Sequence, residues 1–93
     1  MEKDEIRQLY WQAEELCREL ESARENLYVL RAERGDEAQK IGLKNLSYYK
    51  KAAVALISEI AEVAEEEYDS ELMGWVTEIE EALSSFETEV YSE

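Results

Sequence analysis

The feature that most constrains this chain is a run of apolar residues stepping alternately by three and by four. Ile6, Leu9, Ala13, Leu16, Leu20, Ala23, Leu27 and Leu30 keep that rhythm over four heptads. A strand alternates its faces every two residues, so only an α-helix gathers these positions onto one stripe. Sustained this long, the alternation is the a/d pattern of a coiled-coil seam. A second seam follows at Leu46, Tyr49, Ala53, Leu56, Ile60 and Val63, and a third at Leu72, Val76, Ile79, Leu83, Phe86 and Val90. There is no proline to break them, and the only glycines are Gly35, Gly42 and Gly74. The expected fold class is therefore all-α.

The boundaries come from capping chemistry. The first helix should run over about 4–34, roughly 45 Å at the usual rise. Gly35 can take the left-handed conformation that ends helices, with Arg31 and Arg34 in the last turn against the helix dipole. Asp36 can cap a second helix, with Glu37 in its first turn. The pattern is weak across 36–45, where Gly42 interrupts it, so this helix begins at 36 or at 45 and ends near 67. Asp69 or Ser70 caps a third helix over 70–91. Ala52, Val54, Ala55 and Ile57 flank the second seam and make its middle apolar nearly all round, as in a helix central to a bundle. Trp75 and Ala82 widen the third stripe, which implies two neighbours. Short connections favour antiparallel neighbours. The expectation is one domain over 1–93: an antiparallel hairpin of two long helices plus a third helix, a three-helix bundle with coiled-coil-like packing.

Composition excludes more chemistry than it suggests. Histidine is absent, which removes the commonest general base and zinc ligand. Cys17 is the only cysteine, so neither a disulfide nor a Cys/His metal site can form within the chain. It borders the first seam and reads as a small, half-buried hydrophobe. No Gly-rich phosphate loop is present. No cofactor, no metal and no enzymatic activity is expected. The charged N-terminus leads into no apolar signal core. The apolar run from Ala52 to Ile57 is far too short to cross a bilayer. With a lone cysteine, these point to the cytoplasm of a bacterial or phage-infected cell, export without a cleavable signal being the other route.

The net charge is −14, and it is unevenly placed. Residues 1–51 carry 11 acidic and 10 basic residues, whereas 52–93 carry 13 acidic residues and no cation after Lys51. Direct nucleic-acid binding needs clusters of Lys or Arg. The one local cluster, Lys40, Lys44, Lys50 and Lys51 with Tyr48 and Tyr49, is small. Carboxylates are the abundant groups. Glu59, Glu62 and Glu66 share a helical face, Glu65 and Asp69 are four apart, and Glu14, Glu15 and Glu19 cluster on the first helix. Carboxylates on two helices can hold Mg²⁺. Glu66-x-x-Asp69 resembles the second acidic motif of all-α nucleotide pyrophosphohydrolases of the MazG and dimeric dUTPase type. Glu14-Glu15 followed by Glu19 misses the spacing of the first. A solvated acidic face accounts for the same residues. Arg34-Gly35-Asp36 spells an integrin-binding tripeptide but reads as a helix stop and restart, and Asn45-Leu46-Ser47 is a glycosylation sequon without a secretory signal.

Carboxylates without interspersed cations make a strong negative field that steers basic partners, and their spacing can imitate duplex phosphates. In composition, though in no motif, the acidic half resembles small acidic proteins that block nucleic-acid-binding enzymes, including some phage anti-restriction and anti-CRISPR proteins. Trp11 falls at heptad position f, opposite the seam, with Tyr10 beside it and Tyr28 and Val29 at b and c. Aromatics so placed are common at interface hot spots. The candidate partner surface is Tyr10, Trp11, Tyr28, Glu59, Glu62, Glu66, Asp69, Glu78 and Glu81. The expected function is a non-enzymatic inhibitor or adaptor that binds a protein with a basic surface. The alternative is a small helical chaperone or co-secreted partner of a bacterial secretion system, working through apolar helix pairing. Such proteins resemble this chain in size and pattern, although no Trp-x-Gly turn is present. Self-assembly into a homodimer or higher homo-oligomer is a third expectation.

Overall fold

The computed structural model describes residues 3–91. It contains two helices, α1 over Lys3–Glu67 and α2 over Ser70–Tyr91, packed against each other. A straight 65-residue helix would measure about 97 Å. The molecule is 47 × 18 × 16 Å. Arg34 resolves the discrepancy: its φ of −142° and ψ of 57° leave the helical region, and α1 folds back there. We call residues 3–33 the first arm and 35–67 the second.

The break differs from the sequence expectation in one respect. No described glycine has a positive φ. The chain turns one residue before Gly35, through a backbone angle open to any L residue, so Gly35 is not a left-handed stop. The segment 36–45 is helix throughout, and the second arm begins directly after the break. The signal was weak there because the core positions are small. Ala38 is fully buried, and a Cβ on Gly42 would lie 3.2 Å from a Leu27 methyl and 3.4 Å from Val90. Gly42 thus marks a close approach of the second arm to the first and to the end of α2.

The three seams form the core. Leu9, Ala13, Leu16, Leu20 and Leu27 meet Leu46, Ala53, Leu56, Ile60 and Val63, with Leu72, Val76, Ile79, Phe86 and Val90 from α2. Every residue in the buried set is apolar. The middle of the second arm is not central, however. Val54 is 67% exposed and Ala55 is also exposed. Each arm has two neighbours and turns its third side to solvent, so an apolar flank there stays uncovered.

Arg31 does not serve its own helix end. It crosses to α2, where its guanidinium pairs with Glu89 at 2.9 Å and donates to the carbonyls of Glu89 and Val90. These belong to the last turn of α2, whose carbonyls have no partner within the helix. Asp36 makes no side-chain hydrogen bond among the described residues.

The corner between the helices is built from Tyr68 and Asp69. The Asp69 N–H donates to the Ala64 carbonyl at 3.1 Å, the six-to-one bond of a Schellman motif. Tyr68 is the left-handed residue of that motif, with φ 54°. A side chain in this region costs about 1 kcal/mol or more, and Tyr68 is 94% exposed, so no packing offsets it. Tyr68→Gly should therefore raise stability by about 0.5–1 kcal/mol, the rest of the gain being lost to the greater freedom of glycine when unfolded. A shifted urea midpoint with an unchanged slope is the expected reading.

Candidate interaction surface

Because the second arm runs back along the first and α2 returns beside both, the sequence asymmetry becomes an asymmetry along the long axis. The end carrying the Tyr68 corner gathers residues 4–18 and 52–80, with 13 acidic and 2 basic residues, net −11. The end carrying the Arg34 break gathers residues 19–51 and 81–91, with 9 acidic and 7 basic residues, net −2. The fold recruits acids that the charge-balanced first half conceals: Asp4, Glu5, Glu14 and Glu15 join Glu59, Glu62, Glu65 and Glu66 at one end. Sequence order alone does not show this, since it depends on where α1 turns.

The expected surface residues divide between two grooves. Trp11, 58% exposed, lines the groove between the arms with Gln12, Leu16, Ala52, Ala55 and Leu56, edged by Glu15, Glu19 and Glu59. Glu78 and Glu81 line a different groove, between the first arm and α2. They share it with Glu21, Glu25, Arg24, Ala82 and the half-buried Cys17. Burial, then the charge of Glu78, pushes the Cys17 thiol above its ordinary pKa, which keeps it protonated and unreactive. Glu62 and Glu66 are exposed on the second arm, and Tyr28 stands 72% exposed near the less acidic end. Glu21 and Glu25, absent from the sequence-derived set, are the neighbours that make the second groove acidic.

Tyr10 and Asp69 come together in a different role. The Tyr10 hydroxyl donates to both Asp69 carboxylate oxygens, at 3.1 and 3.0 Å, and Asp69 Oδ1 also accepts the Leu72 N–H at 3.0 Å. Asp69, rather than Ser70, is thus the N-cap of α2, and Tyr10 pins the first arm to it. These two residues are occupied in holding the corner. Desolvation first, and then the bond to Asp69, push the Tyr10 pKa from 10.0 up to about 12. The folded state therefore prefers the protonated phenol. That preference is complete below pH 10 and is lost as pH rises through 12. Alkaline titration should destabilise the native protein more than Tyr10→Phe over this window, with circular dichroism as the readout. Equal loss in both proteins would show that Tyr10 carries no such linkage.

Arg18 pairs with Glu14 at 2.9 Å and with Glu15 at 3.5 Å on an exposed face. Such pairs contribute little stability. Among the described residues, no group of three or more His, Cys, Asp or Glu is placed to hold a metal ion. Among the described residues, no helix is long and apolar enough to cross a membrane. Compared with known protein families, curated proteins and solved structures, the chain matches none.

Proposed function

We propose that this chain is a non-enzymatic interaction protein, a three-helix bundle in effect, that presents its acidic end to a protein partner with a basic surface and so acts as an inhibitor or adaptor. The supporting observation is the axial polarity: a net of −11 is concentrated at one end, with Arg7 and Arg18 its only cations among residues 4–18 and 52–80. Charge so arranged raises the encounter rate with a cationic surface and orients it. Partners that normally hold nucleic acid are the natural class, because they carry basic grooves of opposite sign. This is the reading under which the protein would act as a nucleic-acid mimic.

A second reading rests on the exposed Trp11 beside Ala52 and Ala55. An apolar groove of this kind suits helix pairing, as in a small chaperone or co-secreted partner. Salt separates the two. Capture of binding proteins on the immobilised chain, followed by mass spectrometry, should yield a partner that elutes at moderately raised salt and that Glu59→Gln/Glu78→Gln captures poorly. A partner that withstands high salt and is indifferent to those substitutions supports apolar pairing instead.

A further inference from the structure

The solvent face of the second arm carries a second heptad stripe. Lys44, Tyr48, Lys51, Ala55, Ser58, Glu62 and Glu65 step by four and three, and all seven are exposed. They lie opposite the buried stripe of Leu46, Ala53, Leu56, Ile60 and Val63. The order along the stripe matters: cations at one end, two small residues in the middle, anions at the other. A stripe of this form is complementary to itself when reversed. Laid antiparallel on a second copy, Ala55 meets Ser58 at the centre, Lys51 meets Glu62 of the second copy, and Tyr48 meets its Glu65. Lys44 falls about one turn beyond Glu66 of the second copy, within reach of its long side chain.

We infer that the second arm pairs with the second arm of another copy, antiparallel and about a two-fold axis near Ala55 and Ser58. Three observations point to this occupant. Lys44, Lys51, Glu62 and Glu66 hold no ion pair among the described residues, so they are available to another molecule. The small central pair lets two backbones approach. Trp11 and Ala52 border the stripe beside Ala55 along the groove between the arms, and a second helix laid there covers this apolar area. A two-fold axis makes every contact occur twice, as in isologous dimers. The net charge of −14 opposes any dimer. At physiological ionic strength, charges more than about 8 Å apart are largely screened, whereas the Lys–Glu contacts are closer than that. The antiparallel arrangement also sets Glu62 and Glu66 of one copy beside the cation-bearing segment 44–51 of the other. The interface is narrow, so the dimer is weak and dissociates on dilution.

Solution molar mass across a dilution series tests the pairing. The wild type should approach twice the 10.9 kDa chain mass at high concentration, with Trp11 emission shifting to the blue as the dimer forms. Lys44→Glu/Lys51→Glu should leave only monomer, because glutamates then face glutamates. Glu62→Lys/Glu66→Lys should also leave only monomer, although it makes the chain less acidic overall, which separates pairing from net charge. All four substitutions together restore the complementarity and should restore the dimer. Circular dichroism verifies that each variant folds; all four sites are exposed and outside the core. A wild type that stays monomeric overturns the inference, as does a dimer indifferent to either reversal or one that the fourfold variant fails to recover. Lys44 and Lys51 are not in the proposed partner surface, and Glu59 and Glu78 are not in the stripe. Failure of the dimer and failure of the partner reading are therefore distinguishable.

Discussion

Truncating Phe86 to alanine is expected to lower the unfolding free energy by about 3–5 kcal/mol, the usual range for emptying a large aromatic site in a closed core. Phe86 is 1% exposed and meets the Tyr49 ring edge-on, with centroids 5.7 Å apart at 89°. It comes from α2 but fills space behind the groove between the two arms, where Leu27, Gly42 and Tyr49 also converge. Collapse around the void is restricted, because Gly42 already brings the backbone of the second arm against Leu27. A domain of this size has a total stability of roughly 5–14 kcal/mol. One substitution therefore removes roughly a fifth or more of it. Urea unfolding followed by tryptophan fluorescence is the measurement. A loss below about 1 kcal/mol would mean that α2 does not close over the arms as described.

Asp69→Ala should have the next largest effect, about 2–3 kcal/mol, although the residue is only half-buried. One carboxylate does two jobs. It caps α2 through the Leu72 N–H, a contact typically contributing about 1 kcal/mol. It also accepts the Tyr10 hydroxyl, and hydrogen bonds to a charged group contribute about 1.5–3 kcal/mol when shielded and less at a partly wet site. Asp69→Asn keeps a capping oxygen and should lose less than alanine. Combining Asp69→Ala with Tyr10→Phe gives the coupling directly: the double variant should lose less than the sum of the singles, since both remove the same bond. Strict additivity would mean that the Tyr10 contact contributes nothing.

These two positions show how much of the molecule the sequence discloses. Phe86 was legible, because a heptad seam names its core residues through spacing alone, and all three seams entered the core. Asp69 was legible as a helix start and also as a surface acid, and sequence spacing could not decide between them. The deciding partner, Tyr10, lies 59 residues away and is delivered by the fold. The weak pattern over 36–45 had a different cause. Small core residues such as Ala38 and Gly42 look like gaps in a hydrophobic count, yet both are buried, and at Gly42 the second arm lies against the side chains of Leu27 and Val90. The turn of α1 was legible in place but not in kind, since Arg34 rather than Gly35 leaves the helical region.

The candidate surface was legible only in part for the same reason. The excess of carboxylates after Lys51 and the outward position of Trp11 follow from composition and heptad register. Which acids share a surface does not, because it depends on tertiary placement. Glu59 ended beside Trp11, Glu78 and Glu81 ended beside Glu21 and Glu25, and Tyr10 with Asp69 became part of the scaffold. The stripe on the outside of the second arm is mostly polar, so a hydrophobic count passes over it. Its significance appears only once the inside of that arm is known to be occupied.

If a basic partner and a second copy both use the second arm, they share Glu62 and Glu66 and should compete, so partner binding should favour the monomer. The central claim, that the acidic end binds a basic protein, is tested most directly by the affinity for a captured partner at increasing salt. The comparison is the wild type against a variant with Glu59, Glu62, Glu66 and Glu78 all changed to glutamine. The account predicts an affinity that falls steadily as salt rises. The variant should bind about tenfold or more weakly at low salt, with a shallower dependence as the two curves converge. An affinity that ignores salt and is the same in the variant would contradict it.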